Sequence, residues 1–189
     1  MRRAGRELFW LSSATLGLAL VFVAVLGACG DGDSETSQRD EEPPEDFVAE
    51  ADDFRNINTM TPVRNFFLDN PLGHLDEALE VAHSPDGGRY PVGTIIQLVP
   101  QEAMVKRHEG FSPTTNDWEF FFLTVSPEGT VIESRGTTAV ENQFGADCAT
   151  CHAAAEPRFD FICEDDHGCA PLPIGRDLIR AVQSADPRA

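Results

Sequence analysis

Cys148-Ala149-Thr150-Cys151-His152 is a C-x-x-C-H run, the attachment signature of a c-type haem. The chemistry follows from the spacing. Two thiols separated by two residues reach one edge of a porphyrin and add to its two vinyl groups as thioethers. The histidine that follows offers a neutral imidazole as an axial ligand to the iron. With five cysteines and five histidines among 189 residues, a chain of scrambled order would contain the pattern with a frequency of roughly 0.003. Two other chemistries use C-x-x-C. A thioredoxin-like redox site places it near a βαβ pattern at the start of a helix; here it lies late in the chain, after strand-like segments. A zinc site could combine Cys148 and Cys151 with Cys163 and Cys169. The second pair encloses five residues, wider than the roughly two to four usual for zinc pairs.

The N-terminus bears on which chemistry is available. Arg2, Arg3 and Arg6 form a basic region, an apolar stretch runs from Leu16 to Leu26, and Leu26-Gly27-Ala28-Cys29 follows. The stretch is too short and too one-sided for an ordinary transmembrane helix. Residues 1–28 are expected to be a lipoprotein signal peptide, with Cys29 as the lipidated residue of a bacterial lipobox; an uncleaved anchor or a plain secretory signal are the other readings. The main readings place the body in the cell envelope, facing the periplasm or the exterior, where c-type haem is attached and disulfides persist. The cysteines then divide without remainder: Cys29 for lipid, Cys148 and Cys151 for haem, and Cys163 with Cys169 as a candidate disulfide. Two buried free thiols are the alternative for the last pair.

Charge excludes some partners. The chain carries a formal net charge of −18. Removing the signal, with Arg2, Arg3 and Arg6 against Glu7, takes the mature chain to about −20. Such a chain repels nucleic acid and anionic head groups, so membrane contact is expected through the acyl anchor. A basic redox partner protein would be favoured, although the same charge also serves solubility. Residues 29–46, acidic and almost free of apolar side chains after Cys29, are expected to be a flexible tether. Residues 47–189 are long enough for a single domain with its own core.

Periodicity predicts the elements that position the site. Residues 47–83 are expected to be helical. Thr61-Pro62 resembles a cap followed by proline at the first helical position, with Val63, Phe66 and Phe67 at i, i+3, i+4. Asn70-Pro71-Leu72-Gly73 breaks this pattern, and a second helix is expected from His74 to Ala82. Ser84 to Gly88 is a turn. Strands are then expected at Gly93–Val99, Ala103–Glu109, Asp117–Val125 and Thr130–Arg135, with Ser126-Pro127-Glu128-Gly129 as a hairpin connection. On the third, Trp118, Phe120 and Phe122 share one face and Phe121 and Leu123 the other, so both faces should be covered. A last helix is expected near Ile174–Gln183. The fold class is α+β: an antiparallel β-meander packed with N-terminal helices and a C-terminal haem-attachment segment.

The strings YPVGTIIQLV (90–99), Gly110 to Phe121 and CATCHAAAEPRFDFIC (148–163) together resemble the cytochrome P-460 family, which groups cytochrome P-460 with the β-type cytochromes c-prime. The resemblance covers roughly residues 88–165. It implies an exported, mostly β mono-haem c-type protein, with iron held by His152 and usually no strong protein ligand opposite. Such a site binds nitric oxide, carbon monoxide or a related nitrogen species. Enzymatic members oxidise hydroxylamine and carry a lysine cross-linked to the porphyrin, at a position occupied here by Leu98. The chain's single lysine, Lys106, falls on the next strand and is expected to be an ordinary sheet or surface residue, so enzymatic activity stays open. The acidic–aromatic pair of the family corresponds to Asp160-Phe161, before Ile162.

Further ligand candidates lie among the remaining residues. Met60 or Met104 on the iron would make a six-coordinate electron carrier, although each is expected in the core. His74, His83 and His108 are expected to be solvated, and His167 to lie in an acidic loop, where it could be a pH-sensitive contact near the haem. Phe120, Phe122, Phe144, Phe159 and Phe161 are candidates to line the distal side, where apolar crowding limits which ligands fit.

Overall fold

A computed structural model describes residues 44–189. The expected signal peptide, Cys29 and most of the expected tether lie outside the described residues. Among the described residues no helix is long and apolar enough to cross a membrane.

Short β-branched and aromatic runs separated by glycine- and proline-containing turns build one antiparallel meander. Its strands are β1 (Thr61–Val63), β2 (Phe66–Asp69), β3 (Ile95–Gln97), β4 (Glu102–Lys106), β5 (Trp118–Ser126) and β6 (Gly129–Gly136), and their spatial order is their chain order. Among the described residues, three helices accompany it: α1 (Leu75–His83), α2 (Cys148–His152) and α3 (Arg176–Ser184). The class is α+β, as periodicity predicts. β5 is the longest strand, and its bulge between Phe122 and Leu123 leaves Glu133 of β6 unpaired.

Alternation along β5 divides the core in two. Trp118 and Phe120 join Val63, Phe66, Leu68, Ile96 and Met104 on the face that α1 covers with Ala78 and Ala82. Phe121 and Leu123 join Ile95, Ala103 and Val105 on the other face, under Ala49, Phe54, Ile57 and Met60. The C-terminus seals this second layer. Arg188 donates to the Phe54 carbonyl at 2.7 Å, and the Asp186 carboxylate accepts from the Ile57 amide at 2.9 Å.

The expected helix across Thr61–Asn70 is instead the β1–β2 hairpin. Val63 pairs with Phe66 across the two-residue turn Arg64-Asn65, and Arg64 adopts a left-handed φ of 48°. Pro62 lies on an edge strand, where its missing amide costs no ladder bond. Phe66 and Leu68 face one core and Phe67 the other, a period of two. Only α1 of the expected N-terminal helices forms; before the hairpin there are two single 3-10 turns, Ala51–Asp53 and Ile57–Thr59. The turn after α1 requires Gly87. Its φ is +74°, and a Cβ there would lie 2.0 Å from the Arg158 carbonyl oxygen.

Asp46, assigned by sequence to the tether, is bound to the domain. Its carboxylate accepts from Arg107 Nε and Nη2 at 3.0 and 2.7 Å and from the His108 amide at 3.1 Å. The Arg107 hydrogen bonds, reinforced by the His108 amide, hold the Asp46 carboxyl down at about 2 against the opposing effect of burial. A carboxyl depressed in the folded state stabilises fully above its unfolded value of roughly 3.9 and loses that contribution as pH falls through the folded value. Asp46→Asn is therefore expected to lower the urea midpoint at neutral pH, with the deficit shrinking between pH 5 and pH 2. A deficit that stays constant over that range would show that the charge plays no part.

Candidate functional site

The attachment run is held at the end of a loop that returns from β6. Asp147 caps α2: its carboxylate accepts from the Thr150 amide at 2.7 Å and from the Ala139 amide at 3.1 Å. The Cys148 amide donates to the carbonyl of buried Val140 at 2.9 Å, which fixes the first turn to the core. In so short a helix, residues at i, i+3 and i+4 share one side. Cys148, Cys151 and His152 therefore lie together, Cys148 and His152 half-buried and Cys151 exposed.

The His152 ring is oriented from behind. Its Nδ1 is 2.7 Å from the Phe161 carbonyl oxygen. A carbonyl only accepts, so Nδ1 carries the hydrogen and Nε2 keeps the lone pair. Phe120 packs against the imidazole with ring centroids 5.3 Å apart. Burial holds the imidazole pKa below the ordinary histidine value, with the Phe161 hydrogen bond opposing it. A neutral ring with a free Nε2 is the form that binds a metal.

Phe161 can present that carbonyl because two successive residues take left-handed backbone, Asp160 at φ 51° and Phe161 at φ 67°. Non-glycine residues in this region cost of order 1–3 kcal/mol each and persist where the surroundings over-determine them. Those surroundings are dense here. The Asp160 carboxylate accepts from Lys106 Nζ, 2.8 Å from each oxygen, from the Tyr90 amide at 2.8 Å and from the Asn116 side-chain amide. Trp118 Nε1 donates to the Asp160 carbonyl at 2.7 Å. Lys106 Nζ also donates to the Asn116 carbonyl at 2.6 Å and lies 4.9 Å from the Trp118 ring centroid. Lys106 is 1% and Asp160 2% exposed.

This corrects the expectation that Lys106 is an ordinary sheet or surface residue. It is a strand residue whose amine is buried and saturated. Leu98, half-buried just after β3, packs against the core layer that also meets Cys148 and Ala149. Of the five candidate phenylalanines, Phe120, Phe122 and Phe161 belong to that layer. Phe159 is buried, stacked on His167 at 3.6 Å and 4°. Phe144 is 61% exposed in the loop before α2. Met104 pairs with Phe120 on the same layer, whereas Met60 is in the other one. His74 lies 3.2 Å from Glu45, and His108 packs edge-on against Phe111.

Cys163 and Cys169 form a disulfide with Cα atoms 5.6 Å apart, which removes two of the four thiols a zinc site would use. Cys148 and Cys151 remain free. Among the described residues no group of three or more histidine, cysteine or carboxylate side chains is placed to hold a metal ion. The disulfide loop carries Glu164, which accepts from Arg64 Nε at 2.7 Å and so ties the loop to the β1–β2 turn. His167 within it directs Nδ1 at the Ile162 carbonyl, 2.7 Å away. A cavity of about 420 Å³ beside Arg89, Tyr90, Lys106 and Arg107 includes none of the attachment residues.

The donor set suits a covalently held haem: two thiols and an imidazole on one helix side, the imidazole with its Nδ1 occupied, beside a core layer on which half-buried Leu75, Leu79, Leu98, Phe122 and Phe161 also pack. Sequence reasoning missed Asp160, Asn116, Tyr90 and the Trp118 indole as the support of that imidazole. The available signal was the solitary lysine in an apolar strand, which needs an acidic partner if it is buried. The two thiols differ in setting. Burial, with Glu102, Asp147 and Cys151 adding, pushes the Cys148 thiol up to about 12. In haem-free protein at mildly alkaline pH, iodoacetamide is expected to label Cys151 first and Cys148 roughly 10-fold or more slowly. Equal rates by mass spectrometry would contradict this placement.

In comparisons with known proteins, the chain matches no family model, no curated protein and no solved structure.

Proposed function

We propose that this chain is a lipid-anchored c-type mono-haem protein of the cytochrome P-460 type, binding nitric oxide, carbon monoxide or a related nitrogen species at an open iron position, passing one electron, or both. The observation that carries the reading is the His152 imidazole. It closes a C-x-x-C-H helix, and its Nδ1–H is spent on the Phe161 carbonyl at 2.7 Å, which leaves Nε2 as the nitrogen that would bind iron. Cys148 and Cys151 would hold the haem through thioethers. The bound haem would supply a redox-active iron with one axial position for a small ligand. Phe120, Phe122 and Phe161 give the surrounding layer its apolar character. Cys29 would carry the lipid and place the domain in the envelope, facing the periplasm or exterior.

Amine placement weighs against a lysine-cross-linked, hydroxylamine-oxidising haem. Leu98 has no amine, and Lys106, the chain's single lysine, directs Nζ at both oxygens of Asp160 at 2.8 Å. Ligand binding or electron transfer is therefore favoured over enzymatic oxidation.

Protein matured in a host that attaches c-type haem should show a Soret band that survives denaturation. In the ferrous state that band should be high-spin and should move on adding carbon monoxide or nitric oxide. His152→Ala should abolish the native axial ligation. Replacing both Cys148 and Cys151 by alanine should leave any haem extractable. A methionine-to-iron charge-transfer band would favour a six-coordinate carrier instead. Absence of a Soret band, with stoichiometric zinc on metal analysis, would end the haem reading.

A further inference from the structure

We infer that Lys106 and Asp160 are positioning residues for the His152 imidazole: their buried ion pair holds the left-handed Asp160-Phe161 turn whose carbonyl selects the Nδ1–H tautomer and aims Nε2. The identity of the metal centre rests on the haem reading, whereas the imidazole geometry does not.

Burying two charges costs several kcal/mol per ion, and a well-packed apolar pair of similar volume is often as stable or more so. Core filling alone therefore does not call for a lysine and an aspartate at 1% and 2% exposure. What a charged pair provides is direction. Lys106 Nζ binds both carboxylate oxygens at 2.8 Å and the Asn116 carbonyl at 2.6 Å, so the Asp160 side chain has one place to be. The Tyr90 amide and the Trp118 indole fix the same residue from two further sides.

Asp160 is joined by one peptide bond to Phe161, whose carbonyl is the acceptor for His152 Nδ1. Two consecutive left-handed non-glycine residues would relax toward ordinary backbone without such restraint. With Lys106 removed, the carboxylate is left buried without its counter-ion. The least costly response is to swing Asp160 toward water, and the Phe161 carbonyl turns with it. The coupling passes from β4 through one ion pair and one peptide unit to the ring nitrogen. Lys106 touches neither the ring nor the attachment cysteines, so it acts through the turn. Support of this kind sets ligand orientation and basicity, and its loss commonly changes metal affinity by roughly 10–100-fold.

The test uses the full chain labelled with 15N-histidine: the tautomer is read in haem-free protein, where no iron on Nε2 fixes it, and the iron–histidine stretch in protein matured with haem. In the parent protein, His152 should show the Nδ1–H tautomer with slow exchange of that hydrogen. In Lys106→Met the hydrogen should exchange about 10-fold faster or the tautomer become mixed, and in haem-loaded protein the iron–histidine stretching frequency should fall. Phe121→Leu, on the opposite face of the sheet, lowers stability without touching the turn and should leave both signals as in the parent. If Lys106→Met does not fold, Asn116→Gly carries the test. It removes one donor to Asp160 at a position whose φ of 51° suits glycine, and a smaller change in the same direction is expected. A folded Lys106→Met protein, or failing that Asn116→Gly, with unchanged His152 exchange and tautomer would overturn the inference. A sample without covalent haem would sink the haem reading instead, and the tautomer measurement would still judge the ion pair.

Discussion

The Lys106–Asp160 ion pair decides where the C-terminal part of the domain can go. Lys106 belongs to β4 in the middle of the sheet, and Asp160 comes 54 positions later. Neither tolerates burial alone, because an uncompensated charge in the interior is strongly destabilising. Together they are satisfied by a shell drawn from four segments: the Tyr90 amide, the Asn116 carbonyl and side chain, the Trp118 indole and the two charges themselves. The chain beyond α2 is thereby brought back across the sheet face. The Phe159–Ile162 turn follows, and the His152 imidazole receives its acceptor from that turn.

The sheet makes this economical by dividing labour between its faces. One face is closed by the N-terminal turns and sealed by the C-terminal tail, where Asn58 donates to the Gln183 carbonyl at 2.9 Å and Arg188 to Phe54. The other face carries α1, α2 and the Asp160 turn over Trp118 and Phe120. Alternation on β5 feeds both, so a single strand supplies Phe121 to the closed layer and Phe120 to the ring of His152. A register slip of one residue would exchange the two sets and place Glu119, which pairs with Arg107 and Arg135, under the imidazole.

Local order was legible in the sequence and contact order was not. β5, β6, α1 and α3 show in residue type and spacing because each depends on neighbours a few positions away. The C-x-x-C-H run shows for the same reason. The β1–β2 hairpin is hidden in the sequence because Val63, Phe66 and Phe67 satisfy a helical spacing and Pro62 suits a helix start. What decides the matter is Arg64 in left-handed backbone and the pairing of Phe67 with Gln97 of β3, a tertiary preference that overrides the local one. Composition places Asp46 in the tether, yet Arg107, 61 residues on, holds it. Phe144 and Phe159 entered the distal set on residue type alone. One is turned to solvent and the other stacks on His167, an arrangement set by the Cys163–Cys169 loop rather than by spacing.

Lys106 shows how a residue type takes its meaning from placement. In a chain of net charge −18 with a single lysine, an amine at the surface would be one more partner for abundant carboxylates and worth little. The same amine beneath the sheet surface is directional, because desolvation makes every misaligned donor costly. It is also unavailable as a nucleophile, since its hydrogens point at two carboxylate oxygens and a carbonyl. A protein that uses its only lysine this way has committed that group to the Asp160–Phe161 turn, which carries the acceptor for His152 Nδ1. Under the proposed reading, discrimination at an iron held by His152 would fall to the apolar residues of the same layer, Phe120, Phe122 and Phe161.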